Sequence, residues 1–177
     1  MQNLFPGQQP NETVYLAVRE HWFLLGIKLI IWLFFAACFW TINYYLSTNV
    51  PWLFTGQIGQ ITSLFFQLFM MFLFLSLFVI WTVYYLNIHI VTDERIVDID
   101  QVGLFSHTVS ELNIDKIEDV TSEVHGIAGH IFNYGTVFIQ TAGTKERFDF
   151  RNVPNPGYIS KLVLELYEKQ TTKSISQ

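Results

Sequence analysis

Histidines are the first residues in this chain that could carry chemistry, because imidazole binds metals and transfers protons near neutral pH. The spacing closest to a metal motif is that of His125 and His130, with Glu123 two residues before the first. A helical metal pair needs a separation of three or four residues, and the single cysteine, Cys38, lies far away in the sequence. We therefore predict no metal site and interpret 125–133 as a loop with one helical turn. The other three histidines are His21, which we place at a membrane interface, His89 and His107.

Paired carboxylates are the second candidate for chemistry. Asp98 and Asp100 share one face of a predicted strand and could act as general acid and base if a cleft separated their pKa values. They alternate with Val97 and Ile99, which we predict to face the core, so we interpret the acidic face as solvated. The glycines of 126–129 do not form a phosphate-binding motif, and no nucleophile elbow is present in the sequence. We predict no catalytic residues and no cofactor.

The composition excludes several other classes of protein. Of the 177 residues, 51% are hydrophobic and only 14% are charged, whereas about 25% charged residues are usual in a soluble domain. The net charge of −5 argues against a nucleic-acid partner, since phosphate contacts need clustered Lys and Arg. One cysteine cannot form an internal disulfide. The lipid bilayer is therefore the first partner that the composition indicates.

Two long apolar runs account for the hydrophobicity. The run 22–46 contains one charge, Lys28, and the run 61–86 contains none. Each could form about 38 Å of helix, more than the bilayer core of about 30 Å. We predict transmembrane helices at 22–46 and 61–86, joined by the loop 47–60. Trp32 lies in mid-span, away from the interfaces that tryptophan favours, and is predicted to pack against the second helix.

Basic residues near the spans predict the orientation. The loop 47–60 contains no charged residue, whereas Arg19, Lys28 and Arg95 lie near the opposite ends of the two spans. Because positive residues stay in the cytoplasm, we expect an extracytoplasmic loop and both termini in the cytoplasm of a multi-pass cell-membrane protein. On this interpretation 1–21 is a cytoplasmic N-terminal segment.

The segment 87–170 is predicted to form a small α+β domain. Apolar and polar residues alternate with a period of two, which is typical of strands with one buried face, and about six antiparallel strands are expected. Pro154-Asn155-Pro156 then predicts a helix start with Asn155 as the cap. One apolar stripe follows, and we expect the helix to end near 170 and 171–177 to be disordered. The stripe consists of Ile159, Leu162, Val163 and Leu166.

Short motifs in consistent order resemble a known family over about residues 4–167. The chain resembles the bacterial PH-like (pleckstrin-homology-like) domain attached to a transmembrane hairpin, also called the YdbS-like or domain-of-unknown-function 304 family. We call the residues before the first helix, 1–21 here, the leader. In the family an acid usually follows soon after Pro-Gly in the leader, and here that acid is displaced to Glu12. The matching segments are Pro6-Gly7-Gln8, Arg19-Glu20-His21-Trp22, the "T-x-x-R" turn at Thr92–Arg95, Gly103–Ser106, Ile114–Val120, Tyr134–Val137, Phe148 and Asn152–Pro156.

The resemblance implies a membrane helical hairpin plus a PH-like split β-barrel, a bent antiparallel sheet capped by the C-terminal α-helix. It implies no catalytic residues. A eukaryotic PH domain binds phosphoinositides through Lys and Arg in its first hairpin, but the corresponding turn here, 93–95, is mostly acidic. We therefore expect a membrane-anchored interaction or scaffolding module that docks a membrane or cytoplasmic protein through a sheet edge or the loop 125–133. The alternatives are that the PH-like domain binds lipid headgroups, or that the chain is a subunit of an oligomeric channel or transporter assembly. The sequence also leaves open whether the chain forms a homo-oligomer.

Overall fold

The computed structural model describes residues 7–9, 12–141 and 147–175. The chain forms two compact units, and one of them is discontinuous in sequence. A helical unit covers Trp22–Tyr84, and a β-rich domain combines the residues up to His21 with those from Tyr85 onward. In the sequence, the helical unit therefore lies between the two parts of the β-rich domain.

Two long helices make up the helical unit. Helix α1 covers Trp22–Asn49 and helix α2 covers Gly56–Leu86, with a 3-10 turn at Pro51–Phe54 between them. Both are long and apolar enough to cross a membrane. Helix α1 ends later than the predicted span, and α2 begins earlier, because polar residues also continue each helix. At the end of α1, Thr48 Oγ1 donates to the carbonyl of Tyr44 at 2.9 Å, and Asn49 Nδ2 donates to the carbonyl of Tyr45 at 3.0 Å. The connecting loop is correspondingly shorter than the predicted 47–60.

Aromatic side chains join the two helices. Trp32 Nε1 of α1 donates to the carbonyl of Leu73 at 3.0 Å and contacts Ser76 Oγ of α2 at 3.1 Å. The ring of Phe39 stacks on that of Phe69, with centroids 4.2 Å apart. The predicted packing of Trp32 against the second helix is confirmed, and its indole N–H is satisfied inside an apolar hairpin.

In the part of the chain that the structure describes, the β-rich domain contains two antiparallel sheets and two α-helices. One sheet has the order β1-β2-β3-β4 and the other the order β5-β6-β7. The strands are β1 Val14–Val18, β2 Ile88–Thr92, β3 Arg95–Gln101, β4 His107–Asn113, β5 Ile117–Glu123, β6 Tyr134–Thr141 and β7 Arg147–Pro154; the helices are α3 Gly126–Phe132 and α4 Pro156–Ile175. Six of these strands correspond to the six predicted ones.

Strand β1 is a correction to the predicted organisation. It lies in the segment 1–21, which the sequence analysis placed outside the domain, yet it pairs with β2 from Val14↔Thr92 to Val18↔His89. The sequence of β1, Val-Tyr-Leu-Ala-Val, is apolar at every position, so it has no period-two signal. Its partner strand also lies beyond both long helices. The hairpin thus connects the first two strands of a single sheet.

The main core lies between the sheets and α4. Ile159, Val163 and Leu166 of α4 are buried in it, together with residues from both sheets such as Ile96 and Phe150. The predicted apolar stripe and the helix start at Pro156 are confirmed. The predicted disordered tail is wrong up to Ile175, because α4 continues beyond 170. In this polar stretch Thr171 Oγ1 donates to the carbonyl of Tyr167 at 3.0 Å, one helical turn earlier. Residues 176–177 lie outside the described residues.

Candidate functional site

A buried ion pair joins the N-terminal segment to the sheet. Glu12 lies just before β1, and Arg95 at the start of β3 binds its carboxylate in a bidentate manner. Arg95 Nε is 2.9 Å from Glu12 Oε1, and Arg95 Nη2 is 2.9 Å from Glu12 Oε2. Thr92 Oγ1 donates to Oε1 at 2.9 Å, and the backbone N–H of Gln9 donates to Oε2 at 3.0 Å. Both oxygens of the carboxylate therefore face donors.

Arg95 connects this pair to two further groups. Its Nη1 lies 2.7 Å from Glu111 Oε2 on β4, and its Nη2 donates to the carbonyl of Gly7 at 2.6 Å. The guanidinium thereby joins three parts of the chain: the leader, the β2–β3 turn and β4. We call Glu12, Thr92, Arg95 and Glu111 the Arg95 cluster.

The electrostatics of the Arg95 cluster favour the charged forms. Hydrogen bonding from Arg95 lowers the pKa of Glu12 to about 2, against the opposing effect of burial, and the same interaction raises the pKa of Arg95. The Glu12 side chain is completely buried, whereas that of Glu111 is 43% exposed. A buried carboxylate with so low a pKa stays ionised and cannot serve as a general acid at neutral pH. The Arg95 cluster fastens the leader to the sheet.

Sequence reasoning named both members of this pair but did not join them. In the sequence Glu12 is the displaced acid of the leader and Arg95 ends the "T-x-x-R" turn. They are 83 residues apart in sequence, so no local periodicity connects them. The signal available in the sequence was chemical: Glu12 in the leader and Arg95 in the first turn are opposite charges that no strand or helix pattern explains.

The predicted face of the β3 carboxylates is wrong. Asp98 shares its face with Ile96, which lies in the main core, and its Oδ1 is 2.7 Å from His89 Nδ1. Val97 and Ile99 belong to a second apolar cluster on the opposite face. Alternation alone shows two faces but does not show which one the main core covers. Asp100 is exposed, so the two carboxylates do not form an acid–base pair.

The predicted loop 125–133 contains helix α3. His125 Nε2 lies 2.9 Å from Glu123 Oε2 on an exposed surface, and His130 Nδ1 contacts the carbonyl of Gly126 at 2.9 Å. Within the described residues, His, Cys, Asp and Glu form no group of three that could hold a metal ion. His21 is buried and stacks on Tyr134, and this burial lowers its pKa.

A groove is lined by one residue of β1, Tyr15, and by one side of α4. Its volume is about 620 Å³. Strand β1 ends the sheet order, so its outer edge has no strand partner in the part of the chain that the structure describes. The wall is apolar at its base and charged at its rim. The groove is lined by Tyr15, Leu162, Glu165, Leu166, Glu168, Lys169 and Thr172.

Comparison with known proteins identifies the family. The family model described as "Bacterial PH domain" matches residues 22–167, and the chain belongs to this family. A solved structure from Shewanella loihica PV-4, a DUF1696 family protein with a pleckstrin-homology domain, is 15% identical. That similarity covers 46% of this chain and 70% of the other, with a TM-score of 0.37. No curated protein matches the chain.

Proposed function

We propose that this chain is a membrane-anchored interaction module without catalytic activity, whose PH-like domain docks a protein partner at the cytoplasmic membrane surface. Two helices of sufficient length and hydropathy support the anchoring. The family and the two-sheet domain support a recognition role. The observation that carries the proposal is the groove between Tyr15 of the edge strand β1 and helix α4.

The proposed topology rests on strand pairing as well as on charge. Strands β1 and β2 flank the two helices and lie in one sheet, so the chain must return to the side from which it left. A hairpin that crosses a membrane twice meets this requirement. Arg19 and Arg95 both lie in the β-rich domain and favour the cytoplasm for it. Arg19 Nε also donates to the carbonyl of Tyr85 at 3.2 Å, close to the end of α2.

The groove favours an extended, basic segment of the partner. An open strand edge offers unpaired backbone groups to a peptide that adds as a further strand. Leu162 and Leu166 supply an apolar base, and Glu165 and Glu168 outnumber Lys169 among the charged residues of the lining. A partner strand that alternates apolar residues with Lys or Arg would complement this lining.

Site-specific photo-crosslinking in intact membranes tests the proposal. A benzoylphenylalanine at Tyr15, inside the groove, should form an adduct with the partner, and the crosslinked partner residue should lie in an extended basic segment. The same group at Tyr158, exposed on α4 but outside the groove lining, is the matched control and should form none.

Charge reversal in the groove sharpens this test. Glu165→Lys with Glu168→Lys should abolish the Tyr15 adduct, because the rim would then repel a basic segment. Glu118→Lys changes an exposed acid on β5 and should leave the adduct unchanged. Equal adducts at Tyr15 and Tyr158, or an adduct insensitive to the groove reversal, would contradict docking at this site.

A further inference from the structure

The turn between β3 and β4 exposes apolar side chains to an unusual degree. This turn, residues 102–106, has the sequence Val-Gly-Leu-Phe-Ser and contains no charged residue. Phe105 is 98% exposed and Val102 is 72% exposed. The turn is nevertheless well formed: the backbone N–H of Val102 donates to the carbonyl of Ser106 at 3.0 Å. We call it the β3–β4 tip.

Strand register places the β3–β4 tip next to Asn87, the residue that links α2 to β2. Ile88, at the start of β2, pairs with Ile99, and Gln101 pairs with His107 at the base of the tip. The backbone N–H of Gln101 donates to Asn87 Oδ1 at 2.5 Å. Asn87 directly follows Leu86, the last residue of α2. The tip is therefore tied to the residue at which the chain leaves its apolar helix.

Helix α3 is the second apolar projection of the same domain. Ile127 is 82% exposed and Ile131 is 69% exposed. They are four residues apart and so lie on one side of the helix. Apart from His130, residues 126–132 contain no group that can carry a charge near neutral pH.

Contacts at the start of the first helix locate this second projection. His21 directly precedes Trp22, the first residue of α1. Its backbone N–H donates to the carbonyl of Asn152 at 2.7 Å, and its ring stacks on Tyr134 with centroids 5.4 Å apart. Tyr134 comes two residues after the end of α3. Each projection is thus tied to one of the two points where the domain joins a helix.

We propose that the β3–β4 tip and α3 insert into the interfacial layer of the bilayer in which α1 and α2 are anchored. This inference rests on the membrane anchoring in the proposed function, but not on the partner groove. The occupant is a lipid surface because both projections are apolar and both are tied to residues, Asn87 and His21, that adjoin the apolar helices in sequence. Neither contains Lys or Arg, so insertion depends on apolar contact and not on anionic headgroups.

Spin labels on single cysteines in the full chain test the insertion. In a Cys38→Ala background, Phe105→Cys and Ile127→Cys are labelled separately, so that the other projection keeps its native side chains. Glu94→Cys is the matched control, since Glu94 is exposed on the turn at the opposite end of β2 and β3. The protein is reconstituted in vesicles of phosphatidylcholine alone and of phosphatidylcholine with phosphatidylglycerol. Collision with oxygen and with a polar nickel complex then measures depth.

The expected result is that both labels report a position about 5–10 Å into the boundary between headgroups and acyl chains, in both lipid mixtures. The label at 94 should collide freely with the nickel complex. Labels at 105 or 127 that are as accessible to nickel as the label at 94 overturn the inference. Insertion only in the presence of phosphatidylglycerol also overturns it, because headgroup charge would then be the cause.

A label at Phe72, exposed near the middle of α2, separates this inference from the proposed anchoring. A deep label at 72 with nickel-accessible labels at 105 and 127 refutes the insertion alone. A nickel-accessible label at 72 refutes the membrane anchoring, and with it the insertion.

Discussion

Replacing Glu12 with glutamine removes the buried negative charge of the Arg95 cluster and keeps the shape of the side chain. The amide can still accept a hydrogen bond from Thr92, but it does not compensate the charge of Arg95. Arg95 then keeps Glu111 and the carbonyl of Gly7 as partners. The main loss is therefore the charge-assisted, two-pronged interaction between the leader and β3.

The structure sets the size of this loss. The pKa of Glu12 is about 2 in the folded protein, against 4.5 for an ordinary glutamate. At about 1.4 kcal/mol for each pKa unit, the ionised carboxylate contributes about 3 kcal/mol to the free energy of unfolding at neutral pH. Removing one partner of a buried ion pair typically costs about 3–5 kcal/mol, which agrees. For a domain of about 100 residues, the expected fall in Tm is about 10–20 °C.

Calorimetry of the full chain in detergent micelles measures this change as a shift in the unfolding transition of the PH-like domain. Glu111→Gln is the control, because it makes the same chemical change at the half-exposed carboxylate on the same arginine. Its loss should stay below about 1 kcal/mol. Equal Tm shifts for the two variants, or an unchanged Tm for Glu12→Gln, would refute the argument that burial makes Glu12 the stronger partner.

Three further predictions address acid stability, a close backbone contact and the hairpin. Because the folded pKa of Glu12 lies below its unfolded value, its contribution is complete above about pH 4.5 and is lost as the pH falls toward 2; wild-type Tm should drop through this interval, and that of Glu12→Gln should drop less. Gly135→Ala would place a methyl group against a β5 carbonyl and should cost about 1–3 kcal/mol in denaturant unfolding, whereas Gly157→Ala meets open space and should cost nothing. Trp32→Phe should destabilise the hairpin by about 1 kcal/mol in an SDS titration, and the loss should shrink when Ser76→Ala is already present.

Features with a local period were predictable from the sequence. The two apolar runs are long enough to identify the helices without knowledge of their surroundings, and the alternation in 87–154 identifies six strands. The C-terminal helix was predictable in its start and its buried face, because Pro156 marks the start and the stripe from Ile159 to Leu166 marks the face. Each of these signals lies within one element.

Features that depend on distant residues were not predictable. Strand β1 has no alternation of its own and pairs with a strand that follows both long helices. Glu12 and Arg95 are 83 residues apart, so their pairing is visible only once the sheet is formed. The face of Asp98 was misjudged because both faces of its sheet carry apolar clusters. In each case the missing information was which surfaces of the domain meet.

The insertion of the hairpin between β1 and β2 also sets the order of events during biosynthesis. At about 5–20 residues per second, the ribosome needs about 4–17 s to translate the 83 positions that separate Glu12 from Arg95. For most of this interval β1 has been made but its partner strand β2 has not, and both apolar helices emerge before that strand does. The sheet can therefore close only after the whole hairpin has been synthesised, and its closure brings the two ends of that hairpin together.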